Sequence, residues 1–206
     1  MKNDQKPMDH ILALFEQRRS WPDDAILAEL AALPVLPDED DPAWDDERTW
    51  REHADLYVAL ADVAAARRLR PALRLLLERA SYGDPGEMMR GLRHSLEEIV
   101  APDWQVLTDA CMQATTYPQR GARLWAVSEL GVLRDARALQ TLIDALNDPA
   151  DEVRLMACRS LKMVCQTNPP CRAPATEALT RYVSEQRDAA EQNAGREALL
   201  EIENMH

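Results

Sequence analysis

Glu87, His94, Glu97 and Glu98 are the residues whose types and spacing come nearest to acid–base chemistry. On a helix His94 and Glu97 stand three positions apart on one face, where an imidazole and a carboxylate can share a proton. The same spacing is the ordinary one for a surface pair, and that plainer reading is adopted. The four cysteines, Cys111, Cys158, Cys165 and Cys171, show no C-x-x-C spacing, and the histidines at 10, 53, 94 and 206 are scattered. This pattern predicts no metal site. Cys165 and Cys171 flank an Asn-Pro-Pro turn, close enough in sequence to bridge; in a reducing compartment they are expected as free thiols, one buried and one in a loop. Cys158 is expected as a small core residue. No G-x-S-x-G, H-E-x-x-H or Gly-rich phosphate loop occurs, so neither an enzyme nor a cofactor is predicted.

Charge is the stronger chemical signal. The 206 residues carry 36 acids and 24 bases, a formal charge of −12. Residues 1–48 alone hold 13 acids against 5 bases. Within them Asp38, Glu39, Asp40, Asp41, Asp45, Asp46 and Glu47 surround Trp44, and Pro34, Pro37 and Pro42 keep a helix from forming. A calcium loop is disfavoured, because no glycine sits at the sharp turn and no bidentate glutamate follows at the required spacing. The acidic run is either a solvated loop or a contact surface with Trp44 as anchor; a Trp44 packed back onto the body is the competing arrangement. Such a surface repels nucleic acid and anionic membranes and suits a basic protein. The first ten residues are charged and lead into no apolar core, and the run Leu56 to Ala66 is broken by Asp62 and too short for a bilayer. A cytoplasmic protein is expected.

The elements that position these groups are helices, because glycine and β-branched residues are few while Ala, Leu, Arg and Glu dominate. Helices are predicted over 8–19 (Ile11, Leu12, Leu14 and Phe15 on one side), 25–33, and 49–66 with Trp50, Leu56, Leu60 and Val63 inward. Another starts at Pro71. One more spans roughly 103–114, with Trp104, Val106, Leu107 and Cys111, and the last two lie near 175–184 and 188–203. The plainest regularity is a repeat: Pro118-Gln-Arg-Gly-Ala-Arg-Leu-Trp-Ala-Val-Ser-Glu-Leu130 overlays Pro149-Ala-Asp-Glu-Val-Arg-Leu-Met-Ala-Cys-Arg-Ser-Leu161 at an offset of 31 residues. Arg123 falls on Arg154, Ala126 on Ala157 and Leu130 on Leu161. Arg90, Arg123 and Arg154 each lie five residues after a proline, and Asp84 and Asp148 precede two of those prolines.

A two-helix repeat of this length marks a stacked α-solenoid. The stretch resembles a HEAT repeat, in the short form of phycobilisome-lyase-like HEAT proteins. The resemblance implies an all-α, right-handed α-α superhelix of about four helix pairs, with a helical extension before it and a polar C-terminal cap. Residues 1–48 would be the acidic extension and 49–206 one continuous body. It also implies that the Asp and Arg positions form a structural ladder between repeats. In such a solenoid the second helices line the concave face, which assigns Asp109, Arg137, Gln140, Asp144, Glu177 and Arg181 to a partner-binding groove beside the acidic segment.

A second similarity covers sixteen residues. Tyr82-Gly-Asp-Pro-Gly-Glu-Met-Met-Arg-Gly-Leu-Arg-His-Ser-Leu-Glu97, followed loosely by Trp104 and by Arg123-Leu124-Trp125-Ala126, resembles helical immunity proteins of bacterial polymorphic-toxin and contact-dependent inhibition systems. These are small, acidic, cytosolic and non-enzymatic, and each blocks one cognate toxin. The resemblance therefore implies a basic toxin domain as partner, bound without cofactor, nucleic acid or membrane. A generic HEAT adaptor or assembly scaffold is the alternative. A HEAT-like enzyme is the distant one, since DNA glycosylases of this architecture need a strongly basic face and the repeat resemblance does not carry bilin attachment.

Overall fold

A computed structural model describes residues 5–35, 47–80 and 88–205. Among them are eleven α-helices and no strand. The chain divides into two compact units, Met1–Ala110 and Cys111–His206.

In the first unit, α1 (Gln5–Arg18), α2 (Asp23–Ala32), α3 (Glu47–Ala66), α4 (Ala72–Glu78) and α5 (Met88–Val100) precede α6 (Trp104–Ala114), which carries the boundary. α3 is the axis: α1, α2, α4 and α5 all pack against it. Its buried stripe is accordingly broad, taking in Ala54, Tyr57, Leu60, Ala61, Val63 and Ala64. Small residues between the large ones let neighbouring helices approach from several sides. α2 starts at Pro22 with Asp23 and Asp24 in its first turn, where acids meet the positive end of the helix dipole.

Two buried arginines tie the unit together. Arg18 forms a bidentate pair with Glu29 at 2.6 and 2.8 Å and lies over the Trp21 ring. Arg79 donates to the carbonyls of Ala31 and Leu33, both at 2.9 Å, satisfying acceptors that the end of α2 would otherwise leave open. Tyr57, 1% exposed, donates its hydroxyl to the Leu76 carbonyl at 2.8 Å. The helices expected at 8–19 and 25–33 thus share one core with those beyond residue 48. Leu12, on the apolar side of α1 with Ile11, Leu14 and Phe15, is 56% exposed, and Trp104 at the start of α6 is 47% exposed.

In the second unit, α7 (Arg120–Leu133), α9 (Asp151–Thr167) and α11 (Ala189–Glu203) pack in succession, α9 touching both others. α8 (Leu139–Asp144) and α10 (Arg172–Glu185) contact α9, and α10 also packs on α11. This is the helix-pair arrangement expected of the repeat. The second helix of the first pair is short, because 3-10 turns at 136–138 and 145–147 bound its six α-helical residues. α10 begins at Arg172, three residues ahead of the expected Ala175. α11 starts where Asp188 accepts from the amides of Ala190 and Glu191 as a side-chain cap. Its buried residues, Glu191, Gly195, Ala198 and Ile202, line one face; the exposed remainder is mainly polar, as a terminal cap requires, with Leu200 at 60% exposure the exception.

Candidate functional site

The repeat register has a physical counterpart in two arginines. Arg123 Nη1 donates to the carbonyls of Tyr117 and Pro118 at 3.1 and 2.7 Å, while Nε and Nη2 reach Asp148 at 2.8 and 3.0 Å. Thirty-one residues on, Arg154 repeats the geometry. Its Nη1 donates to the carbonyls of Asp148 and Pro149 at 2.7 and 3.0 Å, and Nε and Nη2 reach Glu191 at 2.9 and 2.6 Å. Each arginine therefore closes the loop before its own helix and grips an acid of the following unit. Asp148 serves twice, its carboxylate in one rung and its carbonyl in the next. The sequence marks Asp148 but not Glu191, which comes from the cap helix after a longer connection.

The hydroxyl of Tyr182 also donates to Glu191, at 2.6 Å. Arg154 holds the Glu191 carboxyl below its ordinary range, with help from Tyr182. Burial pushes the Tyr182 phenol up, and its bond to Glu191 adds to that. These groups are committed to structure and offer no nucleophile, acid or base to a substrate. Arg90, the third arginine in register, lies in α5, and its side chain falls outside the described residues, as do Asp84 and Pro85.

Close backbone approach supports the ladder. A Cβ placed on Gly131 would meet Ser160 Oγ at 2.6 Å and Ser160 Cα at 2.9 Å, so α7 and α9 touch almost main chain to main chain here. Ser160 donates to the Val127 carbonyl across this contact at 2.8 Å. Gly195 is approached by side chains of α10 instead, where an added Cβ would lie 2.5 Å from a Val183 methyl.

The cysteines are inert. All four are free and buried, so Cys171, expected in a loop, is instead enclosed within a 3-10 turn after Pro169 and Pro170. Burial raises the thiol of Cys158 to about 12 and that of Cys165 to about 11, and pushes Cys111 well above its usual value. Thiols held this high carry too little thiolate at neutral pH to act as nucleophiles. Among the described residues no group of three or more His, Cys, Asp or Glu could hold a metal ion. No helix there is long and apolar enough to cross a membrane.

The residues assigned to partner binding divide into two sets. Asp38, Glu39, Asp40, Asp41, Trp44, Asp45 and Asp46 lie outside the described residues; Glu47 opens α3, but its side chain lies outside them as well. The others are exposed. Asp109 is on α6 in the first unit. Arg137, Gln140 and Asp144 are on the 3-10 turn and α8, and Glu177 and Arg181 on α10. Several of them pair locally: Arg137 with Asp135 at 2.7 Å, Gln140 with Asp144 at 2.8 Å, and Arg181 with Glu177 at 3.3 Å. The two helices therefore present an open polar surface of mixed charge. Of the acid–base candidates, Glu87 lies outside the described residues; His94 and Glu98 line a cleft of the first unit with Asp62 and Ser95, a grouping that crosses from α5 to α3 and has no signature in the linear sequence.

No curated protein matches the chain. Residues 107–199 match the family model described as HEAT repeats. That span covers α7 to α10 and most of α11, with both arginine rungs inside it, so this part of the chain is similar to HEAT repeats and folds as an all-α solenoid.

Proposed function

We propose that this chain is a non-catalytic protein-binding module whose partner is one basic protein, the toxin of a cognate pair for which it serves as cytoplasmic immunity protein. HEAT repeats are a scaffold for protein interaction, and the observation that carries the reading here is how the charges are spent. The charges of the ladder are consumed inside the second unit, whereas Arg137, Asp144, Glu177 and Arg181 stand exposed, Arg137 beside Asp135 and Arg181 beside Glu177. An exposed surface of weakly committed polar groups on a rigid helical frame is suited to selecting a partner. The acid excess of residues 1–48 adds long-range attraction for a basic one.

The test is direct. The protein encoded by the neighbouring reading frame is expressed alone and with this chain. Arrested growth that is rescued by co-expression, with a one-to-one complex of nanomolar dissociation constant, is the expected result. No complex and no rescue would refute the immunity reading. Several unrelated partners bound with comparable affinity would establish the adaptor in its place.

A further inference from the structure

A cleft of about 550 Å³ opens within the first unit between α1, α3 and α5. Its two sides differ in chemistry. Ile11, Leu12 and Phe15 of α1 form an apolar wall, while Asp62 of α3 and His94, Ser95 and Glu98 of α5 form a polar one. Leu12, more than half exposed, is an apolar side chain left open to water at the cleft.

Asp62 is the unusual member. Its carboxylate accepts from the Ser95 hydroxyl at 3.1 Å, and Ser95 is 1% exposed. Burial raises the Asp62 carboxyl above its ordinary value, while Ser95 and the neighbouring His94 pull it partly back. No lysine or arginine pairs with Asp62 or Glu98 among the described residues, whereas other carboxylates of the first unit do find a cation: Glu29 takes Arg18, Asp23 takes Arg67, and Glu78 takes Arg74. A half-buried carboxylate with one hydroxyl donor is left with acceptor capacity that a charged donor would satisfy.

We propose that this cleft binds a small amphipathic organic cation, an ammonium group on an aliphatic or aromatic stem, with Asp62 as its counter-ion. The ammonium sits between Asp62 and Glu98, and the stem lies on Ile11, Leu12 and Phe15. Charge-assisted hydrogen bonds in a partly desolvated site are the strong ones, and the apolar wall supplies the remaining affinity. A neutral amphiphile of the same length gains only the wall, and an anionic one meets two like charges. The volume lies within the 300–1,000 Å³ of small-molecule sites. This site is independent of the protein-binding reading, because α8 and α10 contribute nothing to it.

The probes are n-hexylamine, 1-hexanol and hexanoate, titrated into the full chain at neutral pH and followed by amide chemical shifts and calorimetry. Hexylamine should bind saturably, with shifts confined to α1, α3 and α5, and roughly tenfold more tightly than hexanol, while hexanoate does not bind. Asp62→Asn keeps the side chain's shape and its oxygen for Ser95, and it should bring hexylamine down to the affinity of hexanol. Leu12→Ser, at an exposed position that folding tolerates, should weaken amine and alcohol by the same factor. Equal binding of amine and alcohol to the unaltered protein overturns the proposal. So does an amine preference that survives Asp62→Asn, or one that maps elsewhere. Should Asp62→Asn fail to fold, Glu98→Gln at the exposed rim reads the same loss of preference in smaller degree.

Discussion

Glu191→Gln asks whether the second arginine rung holds the last helix onto the solenoid. Glu191 is 5% exposed and accepts two guanidinium bonds, at 2.9 and 2.6 Å, besides the Tyr182 hydroxyl. Glutamine keeps the volume and one carbonyl acceptor, but it turns an amide NH₂ toward the guanidinium. One charge-assisted bond is then lost and the other becomes a bond to a neutral acceptor. Bonds to charged groups contribute about 1.5–3 kcal/mol each, and the Arg154 side chain keeps partial exposure and its two carbonyl partners, so the expected net loss is about 2–3 kcal/mol. In a chain of this size that lowers Tm by roughly 4–12 °C. Thermal unfolding by circular dichroism gives the shift, and urea titration with an unchanged slope shows that the unfolded state is unaltered.

The pH dependence supplies the stricter check. The native carboxyl of Glu191 lies below its ordinary value because Arg154 holds its charged form. Its contribution is therefore complete above the ordinary glutamate range and is lost as pH falls through the lowered native value. Glutamine does not titrate, so the stability gap between the two proteins should be constant near neutrality and close in acid. Arg154→Met in the same background should cost much less than it does alone, since the two groups are coupled. A variant as stable as the parent at neutral pH, or a gap that stays open in acid, would refute the account of the rung.

Gly131→Ala gains about 1 kcal/mol of helix propensity but drives a methyl into the Ser160 backbone, so a net loss of about 1–2 kcal/mol is expected in urea titration. Ala157→Asp places a carboxylate at a position 0% exposed and should cost about 3 kcal/mol or more, read as loss of the cooperative thermal transition under ordinary conditions. The four thiols should resist a disulfide reagent in the native protein and react promptly in urea; fast native reaction at any of them would contradict the burial of all four. Neutralising Asp38, Asp40, Asp41, Asp45 and Asp46 together should leave Tm within about 2 °C and slow association with the cognate protein, with the difference shrinking as salt rises; unchanged association rates would reduce the acidic run to a linker.

Local rules made much of this protein legible before any coordinates. The Pro-to-Arg spacing placed Arg123 and Arg154, the 31-residue offset placed Ala126 on Ala157, and helical periodicity placed the last helix near 188–203. These signals are short-range: a helix start needs its cap, and a repeat needs only its own period. What the sequence could not decide were partners far apart along the chain. Nothing near Arg154 indicates that its acid is Glu191, 37 residues away across a longer connection, because only the packing of α11 on α9 brings them together. Leu12 carries the same helical periodicity as Ile11, Leu14 and Phe15, which are partly covered. Whether it is covered depends on how α3 and α5 meet α1, and there the packing leaves a cleft. Asp62 and Ser95, one in α3 and one in α5, become neighbours for that same tertiary reason.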